Sequence, residues 1–248
     1  MKKKIYFVSD LHLGAEYDDA IPDRGEHFCR FIEQIEDRAS HLMIMGDLFE
    51  FWMEYTHYIP KEYFQVLVSL HQLSRKGVEI HYFNGNHDFN LGSFFRKELG
   101  IHTHHKPQRL VLQGKSLHLL HGDGMARSDW KYRLVKSVLI HPFSNWCFRL
   151  IHPDWGMALA KFVGKSSRFH MNKKISGEYQ EKSIRVLEKD IDIVVHGHTH
   201  LAFIKELKEG VYVNAGAWYQ NLRYVEMADG RCSLKTYSKR KSANKLRL

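Results

Sequence analysis

The chain has 248 residues, 44% of them hydrophobic and 26% charged, an ordinary globular composition from which a packed core is expected. Its net charge of +9 favours anionic partners: phosphorylated metabolites, anionic lipid surfaces or nucleic acid. Three isolated cysteines, Cys29, Cys147 and Cys232, speak against a disulfide frame or a cysteine zinc cluster and read as reduced thiols of a cytosolic protein.

The opening Met1-Lys2-Lys3-Lys4 has the charge of a secretory n-region, but the apolar run after it is too short and stops at Ser9-Asp10. No segment approaches the ~18 apolar residues of a membrane span. A protein that is soluble, or attached to a surface peripherally, is expected.

In chain order, strands are expected at 5–9, 42–46, 79–84, 109–113, 116–121, 192–196, 202–207, 211–214 and 223–227. Gln113-Gly114-Lys115 and Lys208-Glu209-Gly210 read as hairpin turns. Between the early strands, Phe28, Phe31, Ile32 and Ile35 form one apolar helical stripe, and Val66, Leu67, Leu70 and Leu73 form another, closed by Gly77. Alternating strand and helix, followed by a half rich in antiparallel strands, predicts an α/β protein of two stacked mixed sheets flanked by helices.

One insert breaks the rhythm. From His121 to Asp192 there is no strand pattern, and the segment reads as helical, punctuated by Pro142 and Pro153. Phe143, Trp146, Cys147, Leu150 and Ile151 make one stripe; Trp155, Leu159, Phe162 and Val163 continue it, with cations such as Lys136, Arg149 and Lys165 around them. Such a stripe packs a core or offers an apolar groove, and periodicity alone favours the core. Residues 239–248 are basic and expected to be disordered. There is no internal repeat.

The chemistry sits where strands end. The run 5–9 leads into Asp10-Leu11-His12, 42–46 into Asp47, 79–84 into Gly85-Asn86-His87-Asp88, 116–121 into Gly122-Asp123 after His121, and 192–196 into Gly197-His198-Thr199-His200 after His196. Carboxyl ends of strands are where ligands converge in α/β sheets. Any one of these motifs alone is most simply a turn. Five in order, each closing a strand, point to a metal centre. Asp, His and Asn donors without thiolate suit two divalent ions: Mn²⁺ first, with Fe or Zn²⁺ compatible. Two such ions ~3.5–4 Å apart suit phosphoryl displacement.

Asp10-x-His12, Gly46-Asp47, Gly85-Asn86-His87-Asp88, His121-Gly-Asp and His196-Gly-His198 resemble the full signature of calcineurin-like metallophosphoesterases. The resemblance implies a four-layer αββα sandwich, as a single domain over 1–238 with a helical cap inserted at about 127–176. It implies one ion held by Asp10, His12, Asp47 and His198 and another by Asp47, Asn86, His121 and His196. It also gives His87 a catalytic role, stabilising the transition state or protonating the leaving oxygen beside Asn86, with Asp88 orienting it.

Gly46-Asp47-Leu48-Phe49-Glu50-Phe51-Trp52, His196 to His200 and Gly216-Ala217-Trp218 are further similar to UDP-2,3-diacylglucosamine diphosphatases. In that family the insert forms a lipid cap, here Phe143, Trp146, Leu150, Trp155, Leu159 and Phe162. Substrate contacts would fall on Asn86, His87, Asp129, Ser166, His170, Lys173 and His196. The implied reaction releases UMP and 2,3-diacylglucosamine 1-phosphate, a lipid A biosynthetic step. The implied partners are a nucleotide-linked glycolipid and an anionic membrane surface, for a cytoplasmic monomer at the inner membrane of a bacterium.

No nucleic-acid motif is present, so no nucleic-acid partner is expected. One departure bears on specificity: the best-known branch of that family carries arginine where this chain has His87. A proton donor there suits poorer leaving groups and leaves a broad phosphodiesterase, phosphomonoesterase or nuclease as the alternative. A non-enzymatic scaffold with the same fold is the third reading, disfavoured because every ligand position is filled.

Overall fold

The computed structural model describes residues 3–17, 19–88, 90–156, 158 and 173–238. The first sheet is built on β1 (Lys4–Val8), β2 (Ala39–Ile44) and β3 (Glu79–Phe83), which run parallel. Helices α1 (Arg24–Ile35) and α2 (Phe64–Arg75) make the crossovers between them. A three-residue strand β4 (His102–His104), reached through the short α3 (Phe94–Lys97), closes one edge in parallel.

The second sheet comprises β5 (Gln108–Leu112), β6 (Lys115–Leu119), β7 (Ile193–His196), β8 (Phe203–Leu207) and β9 (Gly210–Asn214), in the order β5-β6-β7-β9-β8. Between β6 and β7 come α4 (Trp130–Leu139), α5 (Pro142–Arg149) and α6 (Lys173–Leu187). After β9, the one-turn α7 (Trp218–Asn221) returns the chain to the first sheet, where antiparallel β10 (Arg223–Ala228) and β11 (Arg231–Thr236) give the order β11-β10-β1-β2-β3-β4.

The layers follow from which faces are apolar. In β1, Ile5 and Phe7 point to the second sheet while Tyr6 and Val8 point to the helices, so the strand is apolar throughout rather than alternating. Ile5, Phe7, Met43, Met45 and Phe83 meet Leu117, Leu119, Ile193, Val195 and Val213 between the sheets. On the outer face of the first sheet, the two predicted stripes of α1 and α2 pack with Trp52, Phe95 and Trp218. Leu187 of α6 and Ile191 cover Val194 and Tyr212 on the outer face of the second. The result is a four-layer αββα sandwich. Each large apolar side chain so buried contributes ~1.5–3 kcal/mol.

Two strands and two helical turns escape the sequence pattern. β4 is only His-Thr-His, and β11 alternates Arg231, Ser233 and Lys235 with half-buried Cys232 and Leu234 as an edge strand should. α3 and α7 are too short to carry a helical period. No described helix is long and apolar enough to cross a membrane.

Candidate metal centre

The strands end before the sequence pattern does, because the residues that follow leave β geometry abruptly. Asp10, His12, Asp47, His198 and His200 all have positive φ, between 46° and 61°. Non-glycine side chains adopt that backbone only where the surroundings impose it, and such strain gathers at functional sites. Two glycines allow the loops to close. A Cβ on Gly85 would lie 2.0 Å from Asp47 Oδ1, and one on Gly197 would lie 1.8 Å from Ser9 Oγ.

Backbone bonds then weld the loops together. Asp10 N–H donates to Gly46 O, His12 N–H to Asp47 O, and Gly197 N–H to His121 O. His198 N–H donates to Asp10 Oδ2 at 3.0 Å and joins the two sheets. Asp88, fully buried, accepts from the backbone N–H of Asp47, Leu48 and Gly85 and from the Tyr82 hydroxyl.

The structure brings Asp10, His12, Asp47, His121 and His198 into one buried cluster, with half-buried Asn86 at its edge. Asp47 is central. Its Oδ2 lies 3.3 Å from His121 Nε2 and 3.8 Å from His12 Nε2, while Oδ1 accepts the His87 N–H. Asn86 Oδ1 lies 3.1 Å from His121 Nε2. The donor atoms of Asp47, His121 and His198 sit within 4.8 Å of one another, as do those of Asp10, His12 and His200.

The ring tautomers are fixed from behind. His121 Nδ1 faces the Met45 carbonyl at 2.7 Å and His12 Nδ1 faces Glu50 Oε2 at 2.9 Å. A carbonyl or carboxylate only accepts, so each Nδ1 carries hydrogen, and each ring presents an Nε2 lone pair to the cluster once the Nε2 proton is displaced. Asp10 Oδ1 and His12 Nε2 are buried with no hydrogen-bond partner. Buried side-chain atoms left without a partner and aimed into a carboxylate–imidazole cluster suit divalent-ion ligands, so the residues fit a metal centre.

Electrostatics agree. Burial alone would keep His12 and His121 neutral. The carboxylates of Asp10, Glu50 and Asp47 overcome burial at His12 and lift it to about 10, and Asp47 foremost lifts His121 to about 10. Against burial, His200 foremost, with His12 and His121, holds Asp10 well below the usual carboxylate range, and His121 foremost, with His87 and His12, does the same to Asp47. Burial, with the charge on His121, pushes His198 down to about 3. The cluster is thus rich in negative charge that only protons or metal ions can balance.

Other expected positions fall differently. His196 is buried with both nitrogens engaged: Nδ1 reaches Gly197 O at 2.9 Å and Nε2 takes the Tyr212 hydroxyl at 2.7 Å. It is therefore not gathered with Asp47. Asp88 braces the loops rather than His87; the group that orients His87 is Glu50, whose carbonyl accepts from His87 Nδ1 at 3.0 Å. Asp129 ends a 3-10 turn with Oδ2 buried and unpartnered, and burial raises its pKa. Lys173 opens α6. Leu159, Phe162, Ser166, His170 and the tail at 239–248 lie outside the described residues.

Two site residues had no role in the sequence reading. Glu50 serves both His12 and His87, and His200 Nε2 stands 3.3 Å from Asp10 Oδ1. Their only signal was a place inside quoted motifs, an acid three residues after Asp47 and the last histidine of His-Gly-His-Thr-His.

Fold and cluster together define a metallophosphoesterase. The calcineurin-like phosphoesterase family model matches residues 3–202, and the chain belongs to that family of divalent-metal hydrolases. Among its relatives, a UDP-2,3-diacylglucosamine hydrolase of Porphyromonas gingivalis is 32% identical over 84% of this chain and 87% of its own. A protein of the same name from Aliivibrio fischeri is 30% identical over 93% of this chain and 97% of its own. Among solved structures, an archaeal phosphodiesterase shares the fold, with TM-score 0.51 at 14% identity over 94% of this chain and 99% of that one.

Proposed function

We propose that the chain hydrolyses the diphosphate of UDP-2,3-diacylglucosamine, giving UMP and 2,3-diacylglucosamine 1-phosphate at the surface of a bacterial inner membrane. The observation that carries this reading is an apolar surface beside the metal cluster. Helix α5 buries none of its residues; Phe143, Trp146 and Leu150 are 65%, 58% and 68% exposed, and Trp155 beyond it is 74% exposed. That exposure counts against the core-packing reading of the stripe. On α4, Trp130, Leu134, Val135, Val138 and Leu139 extend the same character, which periodicity had not singled out. Exposed apolar patches of this kind mark ligand or membrane surfaces.

The insert is tied to the site. Tyr132 and Lys136 of α4 both reach Asp123, two residues beyond His121, and Phe148 of α5 packs on Phe51 beside Glu50. A groove lined by Asn84, Asn90, His105, Lys136, Ile140 and Asn145 runs between the Asn86 loop and the insert. An acylated sugar lying along it would put its diphosphate at Asn86 and His87, with Asp129 available to the nucleoside.

Two divalent ions, Mn²⁺ by preference, would supply a water ionised at neutral pH and polarise the phosphoryl oxygens. On the first side Asp47 with Asp10, His12 and His198 would hold one ion, and on the second Asp47 with Asn86 and His121 the other. His196 would join the second side only by giving up Tyr212. His87, with Nδ1 on the Glu50 carbonyl, has Nε2 left to meet the leaving phosphate oxygen. Apolar contact contributes ~0.8 kcal/mol per buried methylene, so acyl chains can dominate affinity. Cations add roughly 1 kcal/mol each near an anionic leaflet. The chain would work as a monomer.

Incubating Mn²⁺-loaded protein with UDP-2,3-diacylglucosamine tests this: UMP should form. Absence of UMP alongside brisk hydrolysis of bis-p-nitrophenyl phosphate would overturn the lipid substrate and favour the broad phosphoesterase that His87 also suits.

A further inference from the structure

A second group of imidazoles stands at the opposite end of the first sheet. On β2, β3 and β4 the register pairs His41 with Glu79 and His81 with His102. Residues 79 and 81 share a face because strand side chains alternate, so three adjacent strands present four donors on one side. His81 Nε2 lies 2.8 Å from Glu79 Oε1, His41 Nε2 lies 3.4 Å from Oε2, and His102 Nε2 lies 4.0 Å from Oε1. Three ring nitrogens thus converge on one carboxylate. Behind them His104 Nε2 meets His81 Nδ1 at 2.9 Å, with the two rings stacked 7° from parallel.

We propose that His41, Glu79, His81 and His102 form a binding site for a single divalent transition-metal ion of the zinc, nickel or copper class, separate from the catalytic centre. Mere packing of histidines does not require their Nε2 atoms to meet at a carboxylate. The donor set, imidazoles with one carboxylate, is the set those ions prefer over Mg²⁺ or Ca²⁺. Donors on three hydrogen-bonded strands are pre-positioned, and His104 can take hydrogen from His81 Nδ1, the outer hydrogen bond that metal-bound imidazoles use. Glu79 and His102 are about half exposed, so an ion has a way in, while His41 and His81 are largely enclosed. Burial pushes His41 and His81 below the ordinary histidine value, despite Glu79, so both rings are neutral at pH 7; an ion would displace the hydrogen that His81 Nε2 directs at Glu79, leaving the ring's hydrogen on Nδ1 towards His104. His41 precedes Asp47 by six residues, on the order of 15–20 Å of extended chain, so this ion would not touch the substrate. It would pin the three-residue edge strand β4 to β2 and β3.

The test is Zn²⁺ uptake by the full chain, counted by elemental analysis after equilibrium dialysis. The wild type should bind one Zn²⁺ more than the Glu79→Gln/His102→Ala variant, whose Mn²⁺-dependent hydrolysis should be unchanged. Asp47→Ala should lose ions at the catalytic centre yet keep this one, so the patch is read independently of the catalytic assignment. Imidazole nitrogen NMR of the wild type requires no variant: the Nε2 signals of His41 and His81 should shift on adding Zn²⁺. Equal Zn²⁺ counts in wild type and the patch variant, or unmoved His41 and His81 signals, would overturn the site.

Discussion

Glu50 links the two chemical halves of the centre. Its carboxylate holds His12 at 2.9 Å and lies 3.5 Å from His87, its carbonyl accepts from His87, and the Tyr17 hydroxyl secures it at 2.7 Å. Groups that orient ligands in this way typically carry 10–100-fold in metal affinity. Glu50→Ala should weaken Mn²⁺ binding by about that factor while circular dichroism stays native. Unchanged Mn²⁺ affinity by calorimetry would mean that His12 needs no orienting partner.

The raised pKa values of His12 and His121, about 10 each, have a direct consequence. Metal-free protein at pH 7 holds protons on both rings, and a metal ion must displace them. Binding should therefore release protons, and affinity should climb as pH rises towards 10 rather than level off above 6.5. Calorimetry in buffers of different ionisation enthalpy counts those protons. A count of zero at pH 7 would show both rings already neutral.

At the scale of elements, the loops and the insert behave oppositely. The loops are over-determined, with left-handed carboxylates and imidazoles locked by backbone bonds and glycine contacts. The described helices of the insert offer Trp130, Leu134, Val135, Val138, Leu139, Phe143, Trp146 and Leu150 to solvent. Phe143→Ala/Trp146→Ala should shift stability by less than ~0.5 kcal/mol, as surface substitutions do. The same change should cut binding to anionic phospholipid vesicles several-fold in a co-sedimentation assay. A marked loss of thermal stability would instead place these rings in a core.

This contrast explains what the sequence disclosed. The ligand motifs were legible because each closes a strand whose apolar run is conspicuous. Strand ends were misplaced at Ser9, Gly46 and His121 because the left-handed residues Asp10, Gly46 and Gly122 that end those strands are not signalled by hydrophobicity, and at Asn84 by one residue, where the backbone turns without a left-handed residue. The part of the insert that meets solvent was ambiguous, since an apolar stripe looks the same whether it faces a core or a lipid. Edge strand β4 was illegible: three residues of His-Thr-His carry neither length nor apolar alternation. Glu50 was visible only as a letter in a motif, because its role depends on a fold that returns it beneath His12 and His87.

For the whole molecule, the two sheets serve one purpose at the centre. Parallel β1, β2 and β3 deliver Asp10, His12, Asp47 and Asn86, and parallel β6 and β7 deliver His121 and His198. Neither sheet holds the whole cluster, so it exists only when both pack on Phe7, Met45, Leu119 and Val195. Asp47, between His12 and His121, is where the two sets meet. Anomalous diffraction from crystals of the Mn²⁺-loaded protein tests that arrangement most directly. Two peaks ~3.5–4 Å apart with the Asp47 carboxylate between them are predicted; a single peak, or two that do not share Asp47, would contradict it.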